Sequence, residues 1–192
     1  MNAAMQEFVK SGFDKASTNE IVKEAGISKG SLFNYFNNKK ELYLFLIGYG
    51  NKVIEQIYKE IDMSQTDLFK RIGQIGLIKF RIQKKSPKVF DFLTSINNEE
   101  SVEVKTEIIK NKELALKKGY GKIYENIDFS KFQKDIDIKK AMNILNWTML
   151  GFAEEAQKKI KSYDEIDMEM LKQWESYSDI LKRSFYKEGD EE

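Results

Sequence analysis

The chain has no cysteine and no histidine, and only one proline in 192 residues. Without cysteine there can be no disulfide, no thiolate nucleophile and no thiolate metal ligand. Without histidine the commonest general base and the imidazole half of most zinc sites are missing as well. Most hydrolase and metalloenzyme chemistries fail at this point, so an enzyme is not expected and neither is a cofactor. No apolar run reaches the roughly 18 residues that a spanning helix needs. Met1 is not followed by a basic and then an apolar segment, so neither a signal peptide nor a membrane partner is expected, and a cytoplasmic address is permitted. With Pro87 as the single proline and lysine, glutamate, isoleucine and leucine abundant, little interrupts a helix. The expected class is all-α.

Charge excludes less. The 32 basic residues nearly balance 31 acidic ones, for a net charge of +1. Up to Lys52 seven lysines meet five carboxylates, a local excess of two. Any affinity for nucleic acid must therefore rest on where a few cations stand and not on bulk charge.

The most informative stretch is TNEIVKEAGISKGSLFNYFNNKKEL, from Thr18 to Leu42. Thr18 reads as an N-cap, with Glu20 in the first turn and Ile21, Val22 and Ala25 behind it; Gly26 ends that helix. Ser28 caps a second helix from Lys29 to Phe36, with Leu32, Tyr35 and Phe36 on one face and Lys29, Ser31 and Asn34 turned away from it. Helix, glycine-containing turn and short helix make the sequence form of a helix-turn-helix. Such a unit can place the start of its second helix in a DNA major groove. An ordinary helical corner has the same outline.

The residue types narrow the choice. The run SKGSLFNYFNNKKEL resembles the recognition segment of the TetR (tetracycline-repressor) family of bacterial transcription regulators. Phe8, Gly12, Phe13, Ser17, Ile21, Ala25 and Gly26 match the pattern that precedes it there. The resemblance covers about the first quarter of the chain. It implies a helix-turn-helix DNA-binding domain over residues 1–40 and a larger helical domain for effector binding and dimerisation over residues 41–192. By position it implies that Lys29, Gly30 and Ser31 stand at the groove end of the recognition helix, with Asn34 one turn later. Asparagine's expected mode is a bidentate contact to an adenine edge. Thr18, Phe33, Tyr35 and Lys39 match positions that touch the sugar-phosphate backbone, and Asn19 stands where some members carry arginine. Phe33 replaces the usual tyrosine and so lacks a hydroxyl for a phosphate. Ile27, Leu32 and Phe36 are assigned to the core. In the family the first helix starts about a turn or more earlier, with an apolar pair and usually a basic arm ahead of it; either the sequence here begins late or the protein lacks that segment.

Beyond this unit, periodicity predicts a long helix from Lys39 to Ile61, with Gly48 and Gly50 inside it as either a hinge or a close-packing site. Amphipathic segments follow from Asp67 to Lys85, from Lys88 to about Ile96, and onward to about Ile127. Asp137 is expected to cap the next helix. Along the last two helices the residues Leu145, Thr148, Phe152 and Ala156, and Leu171, Trp174, Ser178 and Leu181, step at three and four. In the family such helices pair with their copies in a second chain; by periodicity alone they could equally be internal core. Phe80, Phe90, Phe92, Tyr120, Tyr124, Trp147 and Phe152 are candidate walls of an apolar effector cavity. The expected partners are thus a double-stranded operator with inverted-repeat symmetry, a small apolar effector and a second copy of the chain. The competing expectation is a helical adaptor that keeps the fold without reading DNA.

Overall fold

The computed structural model describes residues 1–187 and Gly189. Among them the chain is all-α: α1 (Asn2–Lys15), α2 (Thr18–Ala25), α3 (Lys29–Phe33), α4 (Lys39–Glu60), α5 (Leu68–Lys85), α6 (Pro87–Ser95), α7 (Lys105–Tyr124), α8 (Ile138–Lys158) and α9 (Met168–Phe185). Its helices form two compact units. One comprises Met1–Glu60, Arg81–Lys122 and Ser162–Asp164; the other comprises Ile61–Phe80, Ile123–Lys161 and the chain from Glu165. Within the first unit α1 lies along α6 and shares a core with it.

In the first unit α1 buries Ala4, Met5 and Phe8, while Met1 and Val9, which spacing would add to that stripe, are exposed. Gly12 leaves helical geometry (φ 67°, ψ 173°) and breaks α1 before its last turn. Positive φ is what glycine tolerates and other residues resist. Beyond the break Phe13 turns inward. Tyr43 of α4 then sits among three rings, edge-on to Phe8 at 4.9 Å, to Phe13 at 5.2 Å and to Phe92 of α6 at 5.3 Å. Such T-shaped pairs add to plain area burial. Burial, and then the charge of Glu99, hold the Tyr43 phenol above its ordinary pKa.

The two glycines of α4 differ. A Cβ on Gly50 would lie 2.7 Å from Cδ2 of Leu93 and 3.0 Å from its Cγ, so the whole Leu93 side chain would have to move. Gly48 is exposed and a Cβ there would meet nothing within 4 Å. Close packing therefore accounts for Gly50. Gly48→Ala should stabilise the protein by about 0.5–1 kcal/mol through helix propensity. Gly50→Ala should cost about 1–2 kcal/mol, overpacking outweighing that gain. Urea unfolding of the two variants should show midpoints moving in opposite directions.

In the second unit Leu68, Phe69 and Ile72 of α5 pack with Ile127, Phe132, Ala141, Leu145, Trp174, Phe185 and Tyr186. The chain after α9 is stitched back: the Gln133 N–H donates to the Phe185 carbonyl at 2.9 Å and the Lys187 N–H to the Lys131 carbonyl at 3.0 Å. Arg71, fully buried, donates to the carbonyls of Met63, Gln65, Ile123 and Glu125.

Asp67 is buried beside it and accepts from the Lys70 N–H (3.0 Å), the Lys131 ammonium (2.9 Å) and the Tyr186 hydroxyl (3.3 Å). Burial pushes its carboxyl up, but these donors outweigh burial and leave it below the ordinary aspartate value. A carboxylate depressed in the folded state contributes stability that is complete above its unfolded pKa, near 4, and lost as pH falls through the lower folded value. Wild-type unfolding free energy should thus fall below about pH 4 more steeply than that of Asp67→Asn. Denaturant titrations across pH 2 to 6 measure the difference, in which the surface carboxylates common to both proteins cancel.

Candidate nucleic-acid interface

The helix-turn-helix is made by local chemistry. Ser17, not Thr18, is the N-cap of α2, its Oγ accepting from the Glu20 N–H at 3.4 Å; Thr18 is the first helical residue. Gly26 closes α2 in the left-handed region (φ 65°, ψ 31°), with the Ile27 N–H returning to the Val22 carbonyl at 3.0 Å. That pattern satisfies carbonyls that would otherwise be orphaned at a helix end. Ser28 caps α3 by accepting from the Ser31 N–H at 3.0 Å.

α3 ends at Phe33, a turn earlier than spacing predicts; Asn34 keeps helical angles as its C-cap and donates its N–H to the Gly30 carbonyl. Leu32 is buried and pins the helix down. Tyr35 does not join it: the chain has left the helix by then and the ring is 83% exposed. Ile27, likewise expected in the core, is 45% exposed, because the left-handed exit at Gly26 turns it outward. Phe36 is half-buried with its ring 5.2 Å from that of Phe45.

What remains outward is a row of the predicted DNA residues. Lys29, Gly30, Ser31, Phe33, Asn34 and Tyr35 are all exposed, as is Asn19 on α2, and Thr18 is half-buried. The Lys29 ammonium stands 5.9 Å above the Phe33 ring, which holds the charge near the start of α3. The Ser31 hydroxyl shares a 2.9 Å hydrogen bond with that of Ser28. Lys39 is placed differently. Its ammonium donates to the carbonyls of Asp14 (2.9 Å) and Ala16 (3.2 Å) over the face of Phe13, closing the end of α1. An ammonium carries three donors, so one is left for a phosphate.

The aromatics proposed as cavity walls are divided between the two units. Phe90, Phe92 and Tyr120 belong to the first unit, and Phe80, Tyr124, Trp147 and Phe152 to the second. Phe92 is solid core beneath Tyr43, and Phe90 is buried against Tyr163. Trp147 is 68% exposed and lines no interior. Phe152 packs on Trp174 and Tyr177. A groove of about 380 Å³ in the first unit is lined by Gln6, Val9, Lys10, Lys88, Asp91, Ser162 and Asp164, none of them predicted.

The expected α8 and α9 seam faces largely into the protomer. Leu145, Ala156 and Trp174 are buried inside the protomer's own second unit, and Phe152, Leu171, Ser178 and Leu181 are half-buried. The stripe turned to solvent is the next one round: Ile144, Trp147 and Leu150 on α8, Tyr177 and Ile180 on α9. Sequence spacing held the signal, since 144, 147 and 150 step at three, but α8 is apolar on both faces.

The family described as bacterial regulatory proteins, tetR family, matches residues 1–46. The HTH-type transcriptional regulator YxaF of Bacillus subtilis is 34% identical over 61 residues, 31% of this chain and 32% of that protein. The HTH-type transcriptional regulator QacR of Staphylococcus aureus is 27% identical over 115 residues, 58% of this chain and 61% of that protein. The chain thus spans between about a third and three fifths of these curated relatives. A TetR family transcriptional regulator from Chloroflexus aurantiacus superposes with a TM-score of 0.63 at 20% identity, covering 97% of this chain and 91% of that one. The amino-terminal helix-turn-helix segment thus matches the tetR family of bacterial regulatory proteins, and the fold of the chain is that of a solved TetR family structure.

Proposed function

We propose that the protein is a dimeric transcriptional repressor whose α3 reads an operator, with residues 1–40 as the reader and residues 41–192 for pairing and effector response. The observation that carries this is the exposed row Lys29, Gly30, Ser31 and Asn34 on a helix pinned by Leu32 and capped by Ser28. Gly30 adds no side chain at the start of α3, so its backbone can come close to a phosphate. Lys29 suits guanine or a phosphate; Thr18, Asn19, Phe33, Tyr35 and the spare Lys39 donor suit the strand on either side. Two copies related by a two-fold axis would reach successive major grooves, so the operator should be an inverted repeat. For the effector, the half-buried rings Phe80, Tyr124 and Phe152 of the second unit are the side chains that keep the required character.

Selection of oligonucleotides on the purified protein, followed by titration at two salt concentrations, tests the reading. A preferred palindrome and a steep salt slope are expected. Binding with neither would mark a helical adaptor instead. Asn34→Ala should relax preference at one base position and cost about 1–3 kcal/mol on the selected duplex, with random duplex little affected. Equal losses on both would remove Asn34 from base reading.

A further inference from the structure

Resting on the DNA-reading proposal, we infer that Glu99 is a positioning residue for it. This carboxylate lies beyond α6 and fixes the corner of α1 on which the helix-turn-helix is mounted. The break at Gly12 takes the Phe13 N–H out of the helical hydrogen-bond ladder. Glu99 Oε2 accepts that N–H at 2.7 Å across 86 residues of sequence, while its Oε1 accepts the Ser101 N–H at 2.9 Å. A carboxylate held at both oxygens by backbone donors has little freedom, and a charge-assisted bond of this length is among the stronger ones.

The corner from Phe13 to Ser17 is otherwise held by residues of the reader itself. Lys39 closes the Asp14 and Ala16 carbonyls. Glu7 accepts from the Ser17 N–H at 3.0 Å, and Ser17 in turn caps α2. Glu99 comes from outside that segment. The ring contacts of Phe92 with Phe8 and Tyr43 also join α6 to α1 and α4, but they meet α1 before the break at Gly12 and leave the Phe13 N–H to Glu99. The Glu99 bond is directional. It sets the register of the corner against the segment between α6 and α7, so a shift of that segment is felt at the cap of α2.

The experiment compares the wild-type chain with Glu99→Ala and Glu99→Gln. Both variants remove one negative charge, which by itself would strengthen binding to any duplex; only glutamine keeps an acceptor. In Glu99→Ala the Phe13 amide should exchange with deuterium at least about tenfold faster, amides of α9 should be unchanged, and affinity for the selected duplex should fall about tenfold relative to random duplex. Glu99→Gln should recover most of both effects. Unchanged Phe13 exchange, or faster exchange with an unchanged ratio of specific to random binding, overturns the role of Glu99. A wild-type chain with no preferred duplex overturns the DNA-reading proposal itself, and this role with it.

Discussion

Arg71→Met should destabilise the protein by about 3 kcal/mol or more, a large share of the 5–15 kcal/mol typical of a folded chain. The guanidinium has no exposed surface and meets carbonyls from two separate stretches, Met63 and Gln65 just before α5 and Ile123 and Glu125 at the end of α7. The last carbonyls of any helix lack an intrahelical partner. Here one arginine supplies donors to the end of α7 and to the connection entering α5 together. Methionine fills similar volume but leaves those acceptors buried without donors, each costing about 1–3 kcal/mol, less whatever water can reach. Arg71→Lys should recover little, because one ammonium cannot reproduce a planar fork of five donors. Denaturant unfolding followed by circular dichroism gives the number. A loss below about 1 kcal/mol for the methionine variant would mean that the carbonyls find other donors and that the clamp is dispensable.

Arg71 also marks where sequence reading stops. In the stripe Leu68, Ile72, Ile75, Ile82 it reads as one more surface cation, because its partners are main-chain oxygens, which every residue carries and no residue type announces. The helix-turn-helix was legible for the opposite reason: Ser17, Gly26, Ser28 and Gly30 act on neighbours within four positions, so residue type and spacing together specify the turn. Even there the exact cap moved by one residue and Tyr35 left the core face, since both depend on where α3 stops. Long-range ties such as Glu99 to Phe13 were out of reach. Motif position marks Lys39 as a phosphate contact but says nothing of its two bonds to the end of α1, which depend on the fold.

α8 shows a different limit. Two apolar stripes lie on it, and periodicity cannot say which one the protomer covers by itself. In the fold Leu145 is fully buried, whereas Ile144, Trp147 and Leu150 are exposed and Tyr177 and Ile180 project from the neighbouring α9. Monomeric proteins seldom leave so many large apolar side chains together in water. A Cβ on Gly151, in the same outward stripe, would meet nothing within 4 Å, so a second backbone could come close there. A second copy of the chain is the proposed occupant, and a two-fold contact would present every residue of the patch twice.

Trp147→Glu should therefore abolish pairing. Tryptophan at the centre of an interface typically accounts for 2 kcal/mol or more, and a two-fold axis would bury two unpaired carboxylates in place of two rings. Even a combined cost of about 4 kcal/mol raises the dissociation constant roughly a thousandfold. The fold should survive, because the ring is 68% exposed in the protomer and supports none of its core. Sedimentation should show wild-type dimers and variant monomers at micromolar concentration, with unchanged circular dichroism. Affinity for the selected palindrome should fall at least a hundredfold, by about 3 kcal/mol, as two half-sites are no longer engaged together. Single half-sites should bind both proteins alike. A variant that stays dimeric would move the interface off this patch. One that becomes monomeric yet keeps full affinity for the palindrome would show that pairing and reading are not linked through α8 and α9.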